Sequence, residues 1–222
     1  MQGQTSVLAA EDSNTKIKQL ARAITVSVQV GDNRGSGVLI AKAGQTYTVV
    51  TNAHVINGGD SYRIQTPDGK IHSAKLQYQG DSFAKDDLAL LQFQAADTYS
   101  IANLGNSATL SENQAIFVVG FPSESEQLSI SNGKISLVAE KPLVGGYQIG
   151  FGSETKQGMS GGALLNDKGE LIGILGQGNA AITNNAYTYQ DGSHPSIQTL
   201  AQMRSSSFAV PITRVGGRSP PR

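Results

Sequence analysis

Two successive sets of six short apolar segments limit what this chain can fold into. The first set is Ile24–Val30, Gly37–Ala41, Thr46–Thr51, Tyr62–Thr66, Ile71–Gln79 and Leu88–Phe93. The second is Ala115–Gly120, Gln127–Leu137, Tyr147–Phe151, Gly162–Leu165, Leu171–Leu175 and Phe208–Ile212. Their branched and aromatic side chains suit a half-buried pleat. Between them lie turn formers such as Gly31-Asp32-Asn33, Asn57-Gly58-Gly59-Asp60, Pro67-Asp68-Gly69 and Asn166-Asp167-Lys168-Gly169. Six strands in such a short span make one small barrel, and the repeat predicts a second packed beside it. The fold class expected is therefore all-β, with two packed six-stranded antiparallel β-barrels. A short N-terminal helix is expected over Thr15–Ile24, capped by Ser13 or Asn14, because Ile17, Leu20, Ala21 and Ile24 share one helical face. The expected organisation is a single domain over 1–222. It divides into an N-terminal barrel at 21–105, a C-terminal barrel at 106–215 and a disordered tail at 216–222, with residues 1–13 polar and mobile.

Composition removes several function classes. Lys plus Arg and Asp plus Glu number 17 each, so no electrostatic footprint for nucleic acid or an anionic membrane exists. The chain has no cysteine, which excludes disulfides and thiolate metal sites. No run approaches the ~20 apolar residues needed to span a bilayer, so no membrane insertion is expected. The N-terminus does not read as a signal peptide, because its first cation is Lys16 and the apolar stretch Val7–Ala10 is short.

Three motifs carry chemistry. Gly158-Met159-Ser160-Gly161-Gly162 presents one hydroxyl on a bend nearly free of side chains. Thr51-Asn52-Ala53-His54-Val55 offers a base, and Asp87-Leu88-Ala89-Leu90-Leu91 opens an apolar strand with a carboxylate. Alone, each has a plain structural explanation: a glycine-rich loop, a satisfied structural histidine, a strand-entry aspartate. Together they supply what a weakly nucleophilic serine needs, an adjacent base and a group to orient that base. His54 and Asp87 fall in the first set of strands and Ser160 in the second, so the site would form in the cleft between barrels. Asp86 competes with Asp87. The alternation of Leu88, Leu90 and Phe93 assigns the role to Asp87 and leaves Asp86 as a solvated neighbour.

The order His, Asp, Ser resembles that of chymotrypsin-fold proteases. The chain is similar to bacterial HtrA-type and related trypsin-like peptidase domains through Gly35-Ser36-Gly37-Val38-Leu39-Ile40, Thr51–Val55, Gly161–Asn166, Gly169–Ile174 and Phe208–Ile212. That resemblance implies a serine endopeptidase acting on proteins or peptides. Ser160 would be the nucleophile, His54 the base and Asp87 its orienting group, with the N–H groups of Gly158 and Ser160 as the oxyanion hole. It puts Glu154, six residues before Ser160, at the floor of the primary specificity pocket, with Leu175, Gln177 and Ser207 as its other substrate-binding residues. An acidic floor implies cleavage after Arg or Lys, and small aliphatic specificity is the alternative. Met159 stands where animal trypsins carry an Asp that pairs with a new N-terminus, so activation of that kind is not expected. The sequence stops short of a PDZ domain, so trimer formation and chaperone activity are not carried over. The resemblance also implies an extracytoplasmic location, periplasmic or secreted, with a signal peptide absent from this sequence.

A second reading, from another functional class, is a protease-fold scaffold or binding protein whose site is held closed. No cofactor is expected. His72 and His194 lack the spacing of a zinc pair, and Asn166–Glu170 lacks EF-hand spacing. Gly176-Gln177-Gly178 lacks the remainder of a dinucleotide fingerprint, and a calcium site built from loop carbonyls leaves no trace in sequence. The segment 176–207 reads as a long irregular loop, a candidate lid or substrate-selecting element.

Overall fold

A computed structural model describes residues 2–79, 85–178 and 187–215, with the side chains of residues 2–12 and 177 outside that description. Helix α1 (Gln2–Ile24) leads into β1 (Thr25–Val30), β2 (Asn33–Ala43) and β3 (Thr46–Thr51). The one-turn helix α2 (Ala53–Ile56) follows, then β4 (Tyr62–Gln65), β5 (Ile71–Gln79) and β6 (Ala89–Gln94). These six strands close in the order β1-β2-β3-β6-β5-β4, with antiparallel pairing throughout. A second barrel comprises β7 (Ala115–Gly120), β8 (Ser129–Val138), β9 (Ile149–Gly152), β10 (Ala163–Asn166), β11 (Leu171–Gln177) and β12 (Ser207–Pro211). It closes antiparallel as β10-β11-β12-β9-β8-β7, and helix α3 (Ile197–Arg204) precedes its last strand. Closure leaves neither sheet with an open edge.

The central strands are apolar on both faces because each face has something to cover. On β3, Tyr47 and Val49 point into the first barrel beside Val26, Val28, Leu39, Ile64 and Leu91. Val50, with Val38 and Leu90, points outward against Phe117, Val119, Ala163 and Leu165 of the second barrel. On β7 the same division puts Ile116 and Val118 inside the second barrel and Phe117 and Val119 at the junction. Alternation at period two thus feeds two cores at once. Helix α1 contributes Ile17, Ala21 and Ile24 to the junction core, so it fastens both barrels.

All twelve predicted strands are present, with ends moved by a few residues. Helix α1 starts at Gln2 rather than near Thr15, so Ser13 and Asn14 lie inside it and do not cap it. From Gln4 to Ile24 the sequence holds no Gly or Pro that would stop a helix. Part of the segment read as irregular is α3, whose Ser196 side chain accepts from the Thr199 N–H. Periodicity misses this helix because Met203 is its one fully buried residue and Ile197 is 89% exposed. Residues 179–186 of that segment and the tail 216–222 lie outside the described residues. Among the described residues no helix is long and apolar enough to cross a membrane.

Candidate active site

β3 ends at Thr51, and the next turn of chain, α2, carries His54 to the barrel rim. Asp87 sits two residues before β6, which pairs with β3, so the ladder itself brings the two residues together. Three bonds fix the pair. The Asn52 side-chain amide donates to the Asp87 carbonyl at 2.8 Å, and the His54 N–H donates to Asp87 Oδ1 at 2.9 Å. His54 Nδ1 lies 2.5 Å from Asp87 Oδ2. The Asp87 side chain is 14% exposed and that of His54 47%, so the imidazole has one buried partner and one open edge. Burial alone would raise the Asp87 carboxyl. The His54 hydrogen bond and charge, with a further hydrogen bond from the Tyr147 hydroxyl, outweigh it and hold the group below its ordinary value.

From the second barrel, the bend Gly158–Gly162 brings Ser160 to the same place. Gly158 has φ +92°, a left-handed conformation that L side chains avoid, and a Cβ there would strike Ser123 and the Phe121 carbonyl. Gly161 N–H donates to Leu175 O at 2.7 Å, and Gly162 N–H to Met159 O at 3.0 Å. Among the described residues the N–H groups of Gly158 and Ser160 have no acceptor, although Gly158 is buried. Two buried-side donors without partners, on alternate residues of one tight bend, are suited to an incoming anion. The Ser160 hydroxyl donates to Gly176 O at 3.0 Å.

Ser36 locks this bend to the first barrel. Its N–H donates to Ser160 O at 2.8 Å, while its Oγ donates to Gly158 O at 2.9 Å and accepts from Phe121 N–H at 2.8 Å. In sequence, Gly35-Ser36-Gly37 reads as part of a strand, and this duty of Ser36 is not apparent there. A serine between two glycines, on a strand otherwise apolar, was the available clue.

Asp86 is not a solvated neighbour. It is 3% exposed and accepts from Arg214 Nε at 2.6 Å, Arg214 Nη2 at 2.8 Å and Gln190 Nε2 at 2.8 Å. Arg214 is 128 positions away, so no local pattern could reveal the pair. The choice between the two aspartates is geometric: Asp87 faces His54, and Asp86 faces the C-terminal turn.

His54 and Ser160 open onto one cavity of about 530 Å³, whose walls include Phe151, Met159, Leu175 and Phe208. Of the residues expected to meet substrate, Leu175 lines this cavity. Ser207 is buried behind it, 3.1 Å from the lining Thr155 hydroxyl. The Gln177 side chain lies outside the described residues. Glu154 is exposed and is not among the described residues that line the cavity. Adjacent Lys156 does line the cavity, with its ammonium 2.6 Å from Glu124.

Residues 35–174 match the trypsin-like peptidase domain. The chain belongs to that family. Over 188 residues, 82% of its length, it is 31% identical to the serine protease Do-like HtrA of Lactobacillus helveticus, of which the match covers 41%. Over 143 residues it is 38% identical to the periplasmic pH-dependent serine endoprotease DegQ of Escherichia coli, covering 63% of this chain and 30% of that one. The chain thus spans less than half the length of these relatives of the trypsin-like peptidase family. The crystal structure of the serine endoprotease from Yersinia pestis superposes with a TM-score of 0.67 at 23% identity, over 90% of this chain and 62% of that one. At that identity the likeness is one of fold: a two-barrel trypsin-like peptidase domain.

Proposed function

We propose that the chain is a serine endopeptidase that cleaves peptide bonds through an acyl-enzyme on Ser160. One observation carries the reading: a buried-side Asp87–His54 pair from one barrel and Ser160 from the other open onto a single cavity. Ser160 Oγ adds to the substrate carbonyl carbon as His54 Nε2 takes the hydroxyl proton. The oxyanion formed accepts from the Gly158 and Ser160 N–H groups, an interaction whose loss typically costs ~10²–10³ in rate. The C–N bond then breaks, His54 returns the proton to the leaving amine, and Ser160 holds the acyl group. Water, deprotonated by His54, attacks the ester, releases the new carboxyl terminus and regenerates the hydroxyl. No organic cofactor or metal is required by these steps.

The cavity walls support an apolar side chain before the scissile bond. Phe151, Leu175 and Phe208 offer dispersion contacts, and among the described lining residues there is no carboxylate to pair with a cationic guest. This departs from the Arg or Lys preference implied by Glu154, which is exposed. On paired peptides, kcat/KM for Val before the bond should exceed that for Arg, and Glu154→Gln should leave both unchanged. An Arg preference abolished by Glu154→Gln restores the acidic-floor reading. Protein or peptide substrates and an extracytoplasmic site of action are part of the same proposal, the latter supported by the periplasmic naming of the DegQ relative.

One observation favours the scaffold reading: the Ser160 hydroxyl is engaged with Gly176 O. Attack requires the Ser160 hydroxyl to exchange this bond for one to His54. Hydrolysis of an unfolded protein substrate, lost in Ser160→Ala, decides for the enzyme; absence of turnover with any substrate or probe decides for the scaffold.

A further inference from the structure

We propose that Tyr147 is a positioning residue for the triad, gripping the Asp87 carboxylate from the C-terminal barrel so that His54 is held correctly only when the barrels are docked. The proposal rests on the triad reading given above. Its ground is the partner set of Asp87. Oδ1 accepts from the His54 N–H, and Oδ2 from His54 Nδ1 and from the Tyr147 hydroxyl. His54 and Asn52 belong to the first barrel; Tyr147 is the carboxylate's one described partner from the second. The backbone repeats the grip, since Asp87 N–H donates to Gly145 O at 2.8 Å.

The surroundings are shaped for this contact. Tyr147 is 6% exposed and lines the cavity shared by His54 and Ser160. Its loop is closed by Gly146 N–H to Leu143 O and by Leu143 N–H to Tyr147 O, at 2.8 and 2.9 Å. Across the ring lies Gly176, where a Cβ would overlap Tyr147 Cε1 and the hydroxyl. The missing side chain at 176 is therefore the space through which the phenol reaches the carboxylate. Burial and the neighbouring Asp87 charge raise the phenol well above its ordinary value, so it stays a donor at every working pH. A tyrosine serving only as packing needs no hydroxyl aimed at a charged oxygen.

Other charged groups at the pair are accounted for. Asp86 is neutralised by Arg214, and Lys156, on the cavity wall, is paired with Glu124. Against that fixed background, removing the Tyr147 donor leaves Oδ2 less satisfied and more basic. A more basic carboxylate favours the imidazolium, so the acid limb of the rate profile moves to higher pH.

The test compares wild type with Tyr147→Phe, Gly176→Ala and Asp87→Asn, all in the full chain. Tyr147→Phe keeps the ring and removes the donor. It should lower kcat about tenfold or more with KM within about twofold, the size expected for a lost hydrogen bond to a charged group. The acid limb of kcat/KM should rise by about half a pH unit or more. An NMR titration of the His54 ring resonance, one of three histidines to assign, should shift upward equally and needs no turnover to be read. Gly176→Ala, by displacing the ring, should reproduce the shift. An unmoved titration in Tyr147→Phe overturns the proposal, whatever happens to melting temperature. If Asp87→Asn retains wild-type kcat/KM, the triad reading itself falls and this proposal with it. If Asp87→Asn is inactive while Tyr147→Phe behaves as wild type, only the role of Tyr147 falls.

Discussion

At the scale of single residues, adjacent Asp86 and Asp87 have been given different work by the groups that face them. Asp87 meets an imidazole and keeps a mobile-proton partner; Asp86 meets a guanidinium and becomes part of the frame. Breaking a buried pair by removing one charge strands the other, at about 3–5 kcal/mol. Arg214 keeps a quarter of its side chain in solvent, so Asp86→Asn should cost near the lower end, about 3 kcal/mol. Urea unfolding measures this, and kcat per folded molecule should stay within about threefold of wild type, in contrast to a fall of at least ~10³ for Asp87→Asn. Ser36 makes a complementary case. Ser36→Ala removes the bridge between Gly158 O and Phe121 N–H, leaving a buried carbonyl and a part-buried N–H short of a partner. A loss of about 1–3 kcal/mol in stability is expected. Because the bend also carries the proposed oxyanion donors, kcat should fall about tenfold with KM little changed. An unchanged kcat in a folded Ser36→Ala would show that the bend holds its shape unaided.

At the scale of elements, the strands were legible because each one satisfies a local rule and a global one together. Thr46–Thr51 alternates between two cores, and its neighbours are set by glycine and asparagine turns. Pro67-Asp68-Gly69 is such a turn. Burial would raise the Asp68 carboxyl, but bonds from the Thr66 hydroxyl, the Lys70 N–H and the Tyr99 hydroxyl bring it to about 2. A folded value below the unfolded one, ordinarily 3.8, means that this stability is fully present above the unfolded value and lost as pH falls toward the folded one. The wild-type chain should therefore lose stability between about pH 4 and pH 2, and Asp68→Asn should flatten that loss. Denaturant midpoints at the two ends of that range check it, and parallel curves for the two proteins would contradict it. The three motifs of the site were legible as well, since the chemistry dictates their residue types. Tyr147, Arg214 and the burial of Asp86 were not. Each acts across 60 or more positions, and nothing near them in sequence marks the partner. The exposure of Glu154 was illegible for a related reason: an offset counted along a loop fixes position in the chain but not the direction of a side chain.

At the scale of the molecule, the proposed activity would depend on how two separately closed barrels are held together. The junction core, with Val38, Val50 and Leu90 facing Phe117, Val119 and Ala163, is completed by Ile17, Ala21 and Ile24 of α1. Ile24 is fully buried there, so Ile24→Ala should cost about 2–5 kcal/mol. Because the proposed triad spans the same junction, that variant should lose activity at a lower temperature than wild type. The two losses should coincide with unfolding when circular dichroism and activity are followed on one sample. The reading of the whole chain rests on a nucleophile from one barrel activated by a base from the other. It is tested most directly by mass-mapped labelling with a fluorophosphonate probe, applied to wild type, His54→Ala and Ser160→Ala. Labelling on Ser160, slowed at least ~10³-fold in His54→Ala and absent in Ser160→Ala, is the predicted result. A folded wild-type chain that takes up no label at Ser160, or takes it up equally fast without His54, would contradict it.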